Sequence, residues 1–369
     1  MKPHHALAAA LACLAVSVTA GAADKIVIGQ SAPLSGSNAE LGKDIRDGAA
    51  AYFRKVNQAG GVHGRPIELV TLDDRNDRKT AGQNAVKLVN QDNVVALFGF
   101  ASTTLSLDAM PIVKDRRVPF FAPFTGADAI YHQNNYVFAM RASYADELTK
   151  VLEHWGDLGL ARVTVIHYDD QIGNDNYATV ERIMKAAGKK PVGVKLLRNK
   201  DVTPAQIEEI IKSDPEIIVG TTSYDSTGKV LKMLHAAKHP YNMTTLSFVG
   251  PSQLAKAAGA DAAGVSVSGV VPPPTKLLVP VVKECAAVMR AAGLELNYTN
   301  LESCIAAKVL VEAIRRAGRD VSRESVYRAL TTISGYDTGG YVVSFGPDVR
   351  QGSHYVELAV IGRDGTFKY

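Results

Sequence analysis

Past residue 22, no run approaches the roughly 18 uncharged apolar residues of a membrane-spanning helix, which excludes a helical span in the body of the chain. Cysteine is scarce, with 3 in 369 residues, so a disulfide-dense scaffold is excluded. Neither sign of charge dominates: 41 basic residues face 37 acidic ones, and no Lys/Arg-rich tract occurs. Nucleic-acid binding therefore has no electrostatic footprint. Repeats and low-complexity segments are also missing, which removes the usual basis for a structural or adhesive role. Enzyme motifs fail on inspection. The loop Gly36–Asp44 is one residue too long for a phosphate-binding P-loop, and Asp44 stands where Ser or Thr is required. In Gly264–Gly269 the second glycine comes one position too late for a nucleophile elbow. His235 and His239 have metal-ligand spacing, but no Glu follows His235. The pairs Asp73-Asp74 and Asp169-Asp170 read mainly as solvated turns.

What is present begins with the N-terminus. Met1–His5 is short and basic, Ala6–Ala20 is apolar, and Ala20-Gly21-Ala22 is a small-x-small cleavage pattern. That order predicts a cleaved secretory signal over 1–22 and an exported, periplasmic mature chain of about 350 residues, enough for two domains. A lipid anchor at Cys13 is the lesser alternative, because the apolar run continues past it. Cys285 and Cys304 then remain, and sit on predicted helices joined by a short turn. A disulfide and two buried free thiols are both open.

Short apolar strands alternate with amphipathic helices. The spacing predicts strands at 25–30, 67–72, 94–98, 118–121, 163–166, 217–219, 246–248, 265–271, 341–344 and 355–361. Between them it predicts helices at 39–59, 80–90, 104–116, 143–158, 176–187, 226–238, 276–292, 301–318 and 324–330, and a further one opened by Thr203-Pro204. Two consecutive βαβα runs imply an α/β fold of two three-layer lobes with mainly parallel sheets. In such lobes, ligands collect where strands run into helix N-termini. The loop Gly99–Thr104 brings three hydroxyls to such a point, where free backbone N–H groups favour a carboxylate or phosphate; plain N-capping of the helix is the alternative. Pro123–Gly126 lies on the same edge, and Tyr224-Asp225-Ser226 occupies the matching place in the second lobe.

From end to end the chain resembles the branched-chain amino-acid type of periplasmic substrate-binding protein, the type I fold of ABC importers. The matching stretches are Ile28-Gly29 to Leu34-Ser35-Gly36, Gly60–Leu69 with Asp73-Asp74, Gly99–Thr104, Val118-Pro119 through Pro123, and Arg141 through Asp146. The resemblance implies two lobes joined by three crossovers, the first spanning 24–141 plus 273–340 and the second 142–272 plus 341–369, with Pro272-Pro273-Pro274 as a stiff crossover. It implies ligand capture without chemistry, no cofactor, a monomer, and docking on membrane permease subunits. A soluble periplasmic sensor and a periplasmic enzyme are the rival readings. Family positions for the ligand carboxylate match Ser102 or Thr103, and Phe124 with Thr125; the second-lobe tyrosine matches Tyr224. The departures bear on the ligand. Where amino-acid binders carry an ammonium-pairing glutamate after Gly-Pro, this chain has Ser252, and two pocket tyrosines are replaced by Leu41 and Ile172. A buried ammonium without a counter-charge costs several kcal/mol. The expected ligand is a small carboxylate, an amino acid or an aromatic or short-chain organic acid, and these departures point toward one without an α-amino group.

Overall fold

A computed structural model describes residues 24–131 and 135–368. The signal-peptide and Cys13 expectations lie outside the described residues. In the first half, strands β1 (Ile26–Ala32), β2 (Ile67–Asp73), β3 (Ala96–Phe98), β4 (Phe120–Phe121) and β5 (Val137–Phe138) form one parallel sheet in the order β2-β1-β3-β4-β5. Helices α1 (Ala39–Gln58), α2 (Arg78–Asn90), α3 (Thr103–Arg116) and α4 (Asp128–Tyr131) connect them. The chain then passes to the second lobe through α5 (Tyr144–Asp157). There β6 (Val163–Tyr168), α6 (Gln171–Ala186), β7 (Val192–Leu196), α7 (Pro204–Lys212), β8 (Ile217–Gly220), α8 (Tyr224–Ala236), β9 (Asn242–Thr245), α9 (Pro251–Ala258) and β10 (Ser266–Gly269) follow. Helices α10 (Pro280–Ala291), α11 (Tyr298–Arg316) and α12 (Arg323–Thr331) return to the first lobe, with a two-stranded ribbon of β11 (Tyr336–Asp337) and β12 (Val342–Val343). The last strands, β13 (Glu357–Ile361) and β14 (Phe367–Lys368), add antiparallel to β10 at the edge of the second sheet, whose order is β14-β13-β10-β9-β8-β6-β7.

The strands at the centre of each sheet are buried on both faces, which is why they read as near-continuous apolar runs. Helix α1 buries Ile45, Ala49, Tyr52, Phe53 and Val56, one stripe at helical spacing, against β1 and α11. Gly48 permits that approach: a Cβ there would sit 2.2 Å from the Asn300 carbonyl oxygen. Cys285 on α10 and Cys304 on α11 are fully buried and joined by a disulfide, so the bonded alternative is the one the fold adopts.

Several expectations are corrected. The strand anticipated at 246–248 is a 3-10 turn over Ser247–Val249, and the strand is instead Asn242–Thr245, whose polar Thr244 and Thr245 are buried. The edge strand β7 was missed because Gly193 and Lys195 interrupt its apolar pattern. Tyr341, Val343 and Phe345 pack in the first-lobe core beside Phe121 and Phe138, so the chain enters the second sheet only at Glu357, later than the 340/341 boundary. Asp74 is not a solvated turn residue. It is fully buried, accepting from Ser31 Oγ at 2.8 Å and Asn76 N at 2.9 Å.

Candidate functional site

The two lobes meet along the carboxyl ends of their parallel strands. On the first-lobe side, β3 ends in a loop that turns sharply into α3. Gly99 has φ +59°, and Ser102 itself has φ 66° and ψ 160°, a backbone conformation that costs a non-glycine residue about 1–3 kcal/mol. The reward for that turn is an open helix end, since the Ser102 side chain makes no cap bond to the first turn of α3. Thr103 Oγ1 lies 2.6 Å from Thr125 Oγ1, which donates to Tyr144 Oη at 3.2 Å and accepts from Ala127 N at 3.2 Å. A hydroxyl chain thus runs from α3 of the first lobe to the start of α5 in the second. Burial pushes the Tyr144 phenol up, with Arg141 pulling the other way.

Opposite, β6 delivers Tyr168, held by Ser223 Oγ at 2.8 Å and Ser226 Oγ at 2.9 Å. Asp170 caps α6 through Gly173 N at 2.9 Å, and its other oxygen accepts from Arg198 Nε at 2.7 Å. The guanidinium of Arg198 lies 4.0 Å from the centre of the Tyr168 ring. Between these walls is a cavity of about 40 Å³, lined by Ser102, Thr103 and Thr104 from one lobe and by Tyr168, Ile172 and Arg198 among others from the other. It adjoins a second cavity of about 240 Å³ that shares Tyr144, Ile172 and Asn176 and borders Asp128 and Asp175. A third, of about 470 Å³, lies at the mouth between Asn38 of the first lobe and Tyr224, Lys200 and Lys229 of the second.

Of the residues singled out in the sequence, Ser102, Thr103 and Ile172 come together on this cavity, and Thr125 joins them through Thr103. Tyr224 instead lines the mouth and meets the Asn38 backbone across the cleft. Leu41 and Phe124 pack together behind the wall with Ile45 and Leu105. Ser252 lies on the first turn of α9 and lines none of these three cavities. Tyr144, Tyr168, Arg198 and Phe248 were not anticipated. Their one sequence signal is position just after or at the end of a strand, or at the start of a helix. The candidate metal pair is occupied otherwise: His235 Nδ1 lies 2.6 Å from Asp261 Oδ1.

Further polar links fasten the lobes to each other. Asp44 of α1 accepts from Gln253 Nε2 of α9 at 2.6 Å and from Asn297 Nδ2 at 2.9 Å. At the crossovers, the fully buried Arg141 donates through Nη2 to Ser247 Oγ at 2.7 Å and to Glu302 Oε2 at 3.1 Å, and its guanidinium stacks 4.4 Å from the Phe124 ring centre. Glu147, also buried, accepts from Ser247 N and Oγ at 2.8 Å each and from Ser268 Oγ at 2.5 Å.

Burial raises Asp44 to about 6 against the pull of its Asn297 hydrogen bond, and raises Asp74 to about 6 against that of Ser31. Both groups hold protons in the folded state that the unfolded chain has already released, because an ordinary aspartate titrates near 3.9. Their contribution to stability is complete below that value and is lost as pH rises through about 6. The thermal midpoint is therefore expected to fall between pH 4.5 and 7.5 by more in the native protein than in Asp44→Asn. Equal slopes in the two proteins would contradict this assignment.

The model of the periplasmic binding protein family matches residues 25–366. The chain belongs to that family. A solved substrate-binding periplasmic protein from Ralstonia solanacearum superposes with a TM-score of 0.88 at 32% identity, covering 93% of this chain and 99% of that one. A possible leucine/isoleucine/valine-binding protein from Rhodopirellula baltica gives 0.90 at 26%, covering 94% and 97%. In sequence, an amino acid binding protein from Pseudomonas aeruginosa is 24% identical over 304 residues, 79% of each chain. The fold is that of the type I periplasmic binding proteins, two α/β lobes with mainly parallel sheets. Family membership places the chain among periplasmic proteins that bind small solutes.

Proposed function

We propose that this protein is the extracytoplasmic solute-binding component of an ABC importer. It captures a small carboxylate-bearing ligand between its lobes and delivers it to membrane permease subunits, acting as a monomer and without a cofactor. The observation that carries this reading is the cavity lined from both lobes, with the uncapped end of α3 and the hydroxyls of Ser102, Thr103 and Thr104 on one wall. Free N–H groups and the helix dipole at that point suit a carboxylate. Lining by both lobes means that a ligand gains contacts from each only when the lobes close, so binding selects the closed arrangement. The Pseudomonas relative, named for amino acids, supports a small carboxylate as the ligand class.

A thermal-shift screen against amino acids, aromatic acids and short-chain carboxylates tests this. A ligand at a hundred times its dissociation constant adds about 2.7 kcal/mol of stability. At least one carboxylate should raise the midpoint of the native protein, and Thr103→Val should abolish or strongly reduce that rise. A panel in which no carboxylate moves the midpoint would overturn the reading.

A further inference from the structure

The formal charge lining the interlobe cavity has one sign. Arg198 stands among the lining residues, and no carboxylate does. Its guanidinium is positioned from two sides. Nε donates to Asp170 at 2.7 Å, and the plane rests on Tyr168, which Ser223 and Ser226 hold in turn. Its two terminal nitrogens have no hydrogen-bond partner among the described residues. A guanidinium fixed in this way presents a paired set of N–H donors suited to the two oxygens of a carboxylate. The acids on the same side of the cleft are engaged elsewhere: Asp201 and Asp225 both pair with Lys229 at 3.0 Å, and Asp175 accepts from Gln171 at 2.7 Å. Asp128 borders the adjoining cavity, not this one.

We propose that Arg198 is the ligand-clamping, specificity-determining residue of the second lobe: it takes from one side a carboxylate that meets the Ser102–Thr104 hydroxyls from the other, and so selects organic acids that carry no ammonium group. This assignment rests on the solute-capture reading above. Discrimination arises because an α-ammonium beside the carboxylate would lie next to a guanidinium, in a cavity that no carboxylate lines. Tyr144, Tyr168, Ile172 and Phe248 supply the largely apolar surroundings in which the rest of the acid lies.

The test uses ligand pairs that differ only in the ammonium: 3-phenylpropanoate against phenylalanine, and 4-methylpentanoate against leucine, titrated calorimetrically into the native protein, Arg198→Gln and Arg198→Lys. The expected result is that at least one acid binds the native protein at least tenfold more tightly than its amino-acid partner. Loss of charged hydrogen bonds in Arg198→Gln should then weaken that acid by about tenfold to a hundredfold. Arg198→Lys, which keeps the charge but not the paired donors, should recover part of the loss. A general folding defect would not produce that recovery. If amino acids bind as tightly as the acids, or if Arg198→Gln binds the acids like the native protein, the Arg198 assignment falls while solute capture stands. If no member of either series binds, the carboxylate-capture reading falls, and this assignment with it.

Discussion

Arg141→Ala should lower the free energy of unfolding by about 3–5 kcal/mol, the cost of leaving a buried carboxylate without its counter-charge. Arg141 and Glu302 are buried together, Nε to Oε1 at 3.1 Å, and Glu147 lies nearby in equal isolation from solvent. Burial already pushes Glu302 up to about 7 against the attraction of Arg141, with Glu147 adding to the rise. Removing the guanidinium withdraws the attraction and leaves the burial and the neighbouring Glu147 charge unopposed. It also strips Ser247 Oγ of a donor and Phe124 of the cation on its face. Urea unfolding at pH 7.5 measures the loss. The double variant Arg141→Met, Glu302→Met should recover a substantial part of it, because a buried pair replaced by apolar side chains of similar volume is often nearly neutral. A loss in Arg141→Ala below about 1 kcal/mol would mean that water reaches the cluster and that the ion pair is screened.

Replacing both Cys285 and Cys304 by alanine should cost about 3 kcal/mol, the loop-closure entropy restored to the unfolded chain when a crosslink over a separation of 19 residues is removed. The bond staples α10 to α11 inside the first-lobe core, where both sulfurs are out of reach of solvent. Because it constrains one lobe and does not bridge the two, ligand affinity should change far less than stability. Denaturant unfolding and ligand titration on the same variant separate the effects. A large change in affinity with little change in stability would contradict the picture of a staple internal to one lobe.

Much of the fold was legible in the sequence, for identifiable reasons. The α1 stripe from Ile45 to Val56, and the caps at Ser143 and Thr203, are local patterns with local causes. The strand Asn242–Thr245 was not legible, because its burial of threonines depends on neighbours in the sheet, while the more apolar Leu246 and Phe248 nearby read as the better strand. Asp74 likewise looks like a turn aspartate until Ser31, 43 residues away, is seen to meet it. In the candidate site, Ser102 and Thr103 could be found because strand, loop and helix follow each other in sequence. Arg198, Tyr168 and Phe248 could not, because they arrive from separate strand ends and share a cavity only once the second lobe has folded and closed on the first.

The closed arrangement carries a kinetic consequence. The cavity of about 40 Å³ is walled by Ser102, Thr103 and Thr104 on one side and by Tyr168, Ile172 and Arg198 on the other. Because residues of both lobes wall this cavity, solute enters when the lobes part. The apparent dissociation constant is then the intrinsic value divided by the fraction of molecules that are open. The Asp44–Gln253 hydrogen bond, which touches no solute, weights that fraction. Parting the lobes breaks that bond along with the Arg141–Ser247 and Thr125–Tyr144 contacts, so side chains remote from the solute share in setting its apparent affinity.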